Sequence, residues 1–161
     1  MIDVTVLVIS SKICSGEVDD RGKESLCRYL EDHDLRLVGY EVVHDDREII
    51  RQHLVNLCER ENPRVILTVG GTGVRPTDWA PEATRDVIEK EIPGIGEAMR
   101  AESLKKMRTA MLSRGTAGIR GKTMVVNLPG SPKGVIENLA TLLPILDHTV
   151  GKISGVSSGK R

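Results

Sequence analysis

The run Val65-Ile66-Leu67-Thr68-Val69, followed at once by Gly70-Gly71-Thr72-Gly73 and then by Ala80-Pro81-Glu82, constrains this chain more than any other feature. Its apolar and β-branched residues read as a strand covered on both faces. Gly70, Gly71 and Gly73 permit the positive φ that β-carbons disfavour, so the turn is expected to present successive backbone amides. Such amides, feeding a helix start with its partial positive charge, form a receptor for phosphate. The connection to Pro81 is long for a compact domain, which favours a functional loop over a plain one.

The common nucleotide loops do not fit. A Walker loop needs Gly-Lys-Ser/Thr, whereas Gly73 is followed by Val74 and Arg75, and a G-x-G-x-x-G dinucleotide fingerprint is also missing. GGTG alone marks a tight structural turn about as often as a ligand site.

Strand and helix patterns alternate along the chain. Val4–Ile9, 35–43, 65–69 and 123–128 read as strands; 23–31, the amphipathic 47–60, 81–90, 94–106 and 132–143 read as helices. This order predicts an α/β fold, a three-layer sandwich around a largely parallel sheet. Ligands of such sheets collect beyond the carboxyl ends of strands. GGTG and Asn127-Leu128-Pro129-Gly130-Ser131-Pro132-Lys133 each follow a strand directly, so right-handed crossovers are expected to bring both loops to one rim.

At 161 residues the chain suits one domain, 1–161, with 155–161 expected as a flexible tail. Its 23 basic and 23 acidic residues cancel, and Tyr29, Tyr40 and Trp79 are its only aromatic side chains, which argues against general nucleic-acid binding. Cys14, Cys27 and Cys58 are odd in number and widely spaced, reading as reduced thiols of a cytoplasmic protein rather than metal ligands. No leader precedes the first strand and no apolar run spans a bilayer, so neither targeting nor membrane contact is expected. His33, His44, His53 and His148 lack ligand spacing.

Local spacing leaves two readings for several polar residues. Asp45, with Glu48 three positions on, starts a capping box or carries chemistry. Asp78, just before Pro81, caps a helix or serves the loop. Thr72 is a phosphate donor or a turn residue, Arg114 a site residue or half of a surface ion pair. Ser131 before Pro132 is an N-cap, a role compatible with ligand binding at the same helix start. Lys133 reads as a solvated lysine, and Cys14 as incidental.

The extended string GGTG-x4-D-x-A-P-E-A-T resembles the molybdopterin adenylyltransferase family of molybdenum-cofactor biosynthesis, whose relatives include the G domain of gephyrin. Ser10, Gly16, Asp20, Gly22, Asp45, the segment PGIGEAMR at 93–100, Ser113-Arg114 and NLPGSPK at 127–133 match the family pattern in order. The resemblance implies a molybdopterin-binding-domain-like fold and transfer of an adenylyl group from magnesium ATP to molybdopterin. It implies Asp45 and Asp78 as catalytic and magnesium-holding residues. Ser10, Asp20, Gly70, Gly71, Thr72, Gly73, Ser113, Pro129, Gly130 and Ser131 are the implied substrate-binding set. A homotrimer or dimer of trimers is implied too, with handover of product to a molybdenum-insertion protein. Such a role suits the physics, since two carboxylates beside anionic phosphates become useful with a divalent cation between them. Three positions depart from the pattern: Ser11 stands where the family usually has aspartate, Thr77 where arginine is common, and Trp79, a candidate for packing at a subunit contact, where a smaller residue is usual. The competing readings are a non-catalytic pterin carrier, a nucleotide pyrophosphatase and a metal-insertion domain of the same fold.

Overall fold

The computed structural model describes residues 1–156. Six strands, β1 (Ile2–Ile9), β2 (Leu35–Val43), β3 (Val65–Val69), β4 (Lys90–Glu91), β5 (Ala117–Arg120) and β6 (Thr123–Leu128), form one sheet in the order β2-β1-β3-β6-β5-β4. The β2-β1-β3-β6 portion is parallel, and β5 and β4 continue it antiparallel. The helices are α1 (Ser11–Cys14), α2 (Lys23–Asp32), α3 (Arg47–Asn56), α4 (Ala80–Val87), α5 (Pro93–Leu104) and α6 (Pro132–Ile153).

Strand alternation divides the core into two layers, since successive side chains leave a strand on opposite faces. Val4, Val6 and Val8 of β1 with Val65 and Leu67 of β3 pack against Leu26 and Leu30 of α2, Met99 of α5 and Leu139, Leu142 and Leu146 of α6. On the other face Leu7, Ile9, Ile66 and Val125 meet Ile50 and Leu54 of α3 and Ala80, Ala83 and Val87 of α4. The expected three-layer sandwich is therefore present. The connection leaving β1 runs to α2 on one face while that leaving β3 runs to α4 on the other. Adjacent strands whose connections part in this way open a crevice at their carboxyl ends.

Several boundaries differ from the sequence expectation. α4 ends at Val87 rather than 90, because Ile88 turns extended and Lys90–Glu91 pair with Ile119 and Gly118 of β5. Gly118 permits this: a β-carbon there would lie 2.4 Å from Ile88 Cδ1 and 2.7 Å from the Lys90 carbonyl oxygen. The β5–β6 hairpin is absent from the sequence reading, and turns at Gly121 with φ +57°. The amphipathic 47–60 segment is α-helical to Asn56 and then closes in a π-helical turn, Leu57–Glu61. α6 continues past 143 through Pro144, which costs a helix roughly 3 kcal/mol; burial of Leu146 and Val150 beyond it, each side chain contributing about 1.5–3 kcal/mol, offsets that loss. Of the tail expected at 155–161, residues 157–161 lie outside the described residues.

Candidate functional site

The sheet ladder carries the two glycine loops together. Gly70 N–H donates to the Leu128 carbonyl at 3.1 Å, one pair beyond the last β3–β6 partners Val69 and Leu128. Gly130 then lies against Gly70, for a β-carbon on Gly130 would sit 3.5 Å from Gly70 Cα. Both loops line one cleft of about 1210 Å³, as the sequence predicts for a shared rim.

Within GGTG the three glycines have different reasons. Gly70 (φ +100°) and Gly71 (φ +69°) adopt the left-handed conformation, and a β-carbon on Gly70 would meet the Ile9 carbonyl oxygen at 2.6 Å. Gly73 departs from expectation in having no positive φ; a β-carbon there would instead fall 2.9 Å from Asp78 Oδ2. Gly70 also spends its N–H inside the protein, so it is no donor to a ligand. The N–H groups of Gly71, Thr72, Gly73, Gly130 and Ser131 have no acceptor among the described residues. Two short backbone segments thus offer five free donors on the walls of one cleft. Ser131 caps α6 as expected, accepting from Gly134 N–H at 3.2 Å.

Asp45 is not the cap of α3. Asp46 holds that place, accepting Ile49 N–H at 2.9 Å, while Glu48 pairs with Arg51 and Gln52 instead of closing a capping box. Asp45 reaches across to the end of β1: its Oδ2 accepts Ser11 N–H at 2.9 Å, and its own N–H donates to Ser11 Oγ at 2.9 Å. Ser10 caps α1 by accepting Ile13 N–H at 3.2 Å. Asp20 closes this side of the cleft as acceptor for the Tyr40 hydroxyl, and Lys23 Nζ lies 4.6 Å from the Tyr40 ring centre. Burial, reinforced by the Asp20 bond, holds the Tyr40 phenol far above its ordinary range, so it remains a donor.

Asp78 is no helix cap either, since Trp79 takes the N-cap position of α4 without a side-chain bond. The Asp78 carboxylate closes its own turn: Oδ2 accepts Arg75 N–H at 2.9 Å while Asp78 N–H donates to the Arg75 carbonyl at 3.0 Å. Arg114, one candidate for a surface pair, grips this turn from behind. Nε donates to the Gly73 carbonyl at 2.7 Å, Nη2 to the Asp78 carbonyl at 2.9 Å, and Nη1 to Glu82 Oε2 at 2.7 Å. The Glu82 bond raises the guanidinium pKa further above its already high value.

Asp45, Asp78, Ser10, Asp20, Gly70, Gly71, Thr72, Gly73, Gly130 and Ser131 all line the large cleft. Ser113 and Pro129 do not; they line an adjoining cavity of about 320 Å³ that shares Thr72, Gly73, Leu112 and Ser131 with it. Lys133 lines this second cavity, 3.9 Å from Glu137. Trp79 is outside both linings, with Arg47 5.9 Å from its ring centre. Among the described residues no three His, Cys, Asp or Glu side chains group as a metal cage. Magnesium asks for less, commonly one or two carboxylates with phosphate oxygens and waters, and Asp45 and Asp78 fit that donor set. Cys58, in the π-helical turn after α3, is buried, which pushes its thiol up to about 11, and Cys14 is exposed.

The sequence reading gave no role to Tyr40, nor to Arg100 and Asn127 within the segments that match the family pattern. Arg100 donates to the Gly115 carbonyl at 2.6 Å and lines the smaller cavity. Asn127 is buried beneath the loops, donating to Thr68 Oγ1 at 2.9 Å and Thr84 Oγ1 at 2.8 Å and accepting Thr116 N–H at 3.1 Å. An amide within the apolar strand Thr123–Leu128 was the available signal for it, because a buried polar side chain needs partners.

Residues 5–148 match the family model described as "Probable molybdopterin binding domain". The chain is 38% identical over 156 residues to molybdopterin adenylyltransferase of Helicobacter pylori J99, covering 96% of this chain and 89% of that protein. Its identity to molybdopterin adenylyltransferase of Escherichia coli K12 is 36% over 138 residues, covering 84% and 71%. The crystal structure of the molybdopterin biosynthesis enzyme MoaB from Thermus thermophilus superposes with a TM-score of 0.90 at 41% identity, covering 96% of this chain and 98% of that one.

Proposed function

The chain belongs to the molybdopterin-binding domain family of molybdenum cofactor biosynthesis, and on that premise we propose that it is a molybdopterin adenylyltransferase using magnesium ATP. A terminal phosphate oxygen of molybdopterin bonds to the α-phosphorus of ATP as the bond from that phosphorus to its bridging oxygen breaks, and pyrophosphate leaves. Both reactants are anions, so the protein's task is to hold them in line and balance their charge.

The observation that carries this reading is that five backbone N–H groups with no acceptor among the described residues line one cleft together with two carboxylates, Asp45 and Asp78. The amides of Gly71, Thr72, Gly73, Gly130 and Ser131 bind phosphate oxygens, and the start of α6 adds its partial positive charge. Asp45 and Asp78 would hold magnesium, which when bound neutralises phosphate charge and keeps the carboxylates from repelling the substrates. Ser10, Asp20 and Thr72 orient substrate in the large cleft; Ser113 and Pro129 do so in the smaller one.

Residues 1–161 act as one domain in this reading. Its setting is the cytoplasm, and no helix among the described residues is long and apolar enough to cross a membrane. A trimer or dimer of trimers, passing product to a molybdenum-insertion protein, completes the proposal. Exposed Leu104, Met107 and Met111 supply apolar surface for self-association.

Incubation of the protein with molybdopterin, ATP and magnesium, followed by mass spectrometry, tests the activity. Adenylylated molybdopterin and pyrophosphate are expected in equal amounts. Asp45→Asn and Asp78→Asn keep an acceptor for Ser11 and Arg75 while removing charge, and should each lower turnover by at least ~10²-fold while still binding pterin. Tight pterin binding by the unaltered protein without ATP-dependent product would establish a carrier instead.

A further inference from the structure

We propose that Arg114 is the positioning residue that sets the Asp78 carboxylate for adenylyl transfer, an inference that rests on the adenylyltransferase reading. Arg114 lines neither cavity, so it acts on substrate only through what it holds. What it holds is the whole arch from Thr72 to Glu82. Its backbone N–H donates to the Thr72 carbonyl at 2.8 Å, and its three guanidinium nitrogens take the Gly73 carbonyl, the Asp78 carbonyl and the Glu82 carboxylate. The arch is therefore fixed at its start, at the catalytic candidate and at the first turn of α4.

The Asp78 side chain has little of its own to fix it. Its Oδ2 bonds to Arg75 N–H inside the same turn, and that turn has no other side-chain bond to the body of the protein among the described residues than those from Arg114. Trp79 follows with no capping bond. Turn and carboxylate thus move as a unit, and the guanidinium sets where the unit sits. A planar fork is needed because three acceptors in different directions must be reached at once; a lysine ammonium on its flexible stem cannot span them. The free amide of Gly71 is anchored separately, through the Gly70–Leu128 ladder bond and the bond from Ala80 N–H to the Gly71 carbonyl at 3.0 Å. Loss of the fork should consequently disturb the carboxylate more than phosphate capture.

The test uses Arg114→Lys, with Glu82→Gln as a milder second variant that keeps the fold if the first does not. Three quantities are read: melting temperature, hydrogen exchange without ligand of the Arg75 and Asp78 amides, which are bonded within the turn, and steady-state turnover against ATP concentration. Arg114→Lys should exchange those amides at least tenfold faster, leave exchange in β1, β3 and β6 unchanged, and lower kcat by ~10–10²-fold with a much smaller change in KM for ATP. Glu82→Gln should fall between it and the unaltered protein. Unchanged loop exchange, or faster exchange with undiminished kcat, would overturn the proposal, as would a loss confined to KM. An unaltered protein that makes no adenylylated pterin would overturn the adenylyltransferase reading alone, and loop exchange would then still decide whether Arg114 positions the Asp78 turn.

Discussion

Ser11 and Asp45 exchange hydrogen bonds across the mouth of the cleft, each giving its backbone N–H to the other's side chain at 2.9 Å. The pair joins the end of β1 to the connection after β2, two segments with no sequence proximity. Ser11→Ala leaves Asp45 N–H without its partner, which should cost about 1 kcal/mol of stability and, by loosening the carboxylate, lower turnover by roughly tenfold. Asp46→Ala should lose a similar ~1 kcal/mol through the α3 cap with turnover retained. Urea melts and product assays on both variants separate the two roles.

Glycine substitution divides by position. Gly70→Ala forces a β-carbon to 2.6 Å from the Ile9 carbonyl at φ +100°, so it should destabilise the fold by at least ~1–3 kcal/mol. At Gly71 a β-carbon would lie 3.3 Å from Ala80 Cβ and Ile9 Cγ2 and 3.5 Å from Ala80 N, and Gly71→Val adds two methyl groups beyond it. It too should lose stability, since φ is +69°, and it crowds the free amides besides. Thermal melting should therefore rank Gly70→Ala with Gly71→Val as unstable, and nucleotide titration of the folded fraction should show weaker binding for the valine variant.

Asn127 satisfies both ends of its amide below the loops. Asn127→Ala would strand the Thr116 N–H and leave the Thr68 and Thr84 hydroxyls without that partner, at about 1–3 kcal/mol for each unsatisfied group. A drop in the urea midpoint with an unaltered slope is the expected result. A variant as stable as the unaltered protein would mean that water replaces the amide.

Acid should weaken the fold through surface carboxylates. The Arg47 guanidinium holds Asp86 below its ordinary 3.8, and Arg36 does the same for Asp3. A carboxylate whose folded pKa is depressed contributes stability above its unfolded pKa and loses it as pH falls through the folded value. Stability should therefore decline below about pH 4, and Asp86→Asn should flatten that decline in melts taken between about pH 5 and about pH 2.

The parallel strands β1, β3 and β6 were legible because they are mostly apolar, and the two glycine loops because each follows such a strand. The hairpin β5 and the two-residue β4 were not. Gly118 and Gly121 look like breakers in sequence, yet one makes room for Ile88 and the other supplies the turn. The substrate-binding candidates were recognisable as motifs, but their mechanical roles were not. Spacing left Asp45 and Asp78 open between cap and chemistry because it sees only neighbours in the chain, whereas Ser11 lies 34 positions from Asp45 and Arg114 lies 36 from Asp78. A pairing between distant residues leaves no periodicity to read.

The bond from Gly70 to Leu128 makes both glycine loops extensions of the strand pair beneath them. A transplant of this site into another α/β scaffold would accordingly have to move two neighbouring strands in fixed register, with Gly70 and Gly130 kept bare where they touch. Grafting GGTG alone onto a foreign strand would supply the letters of the motif without the second wall that gives them their shape.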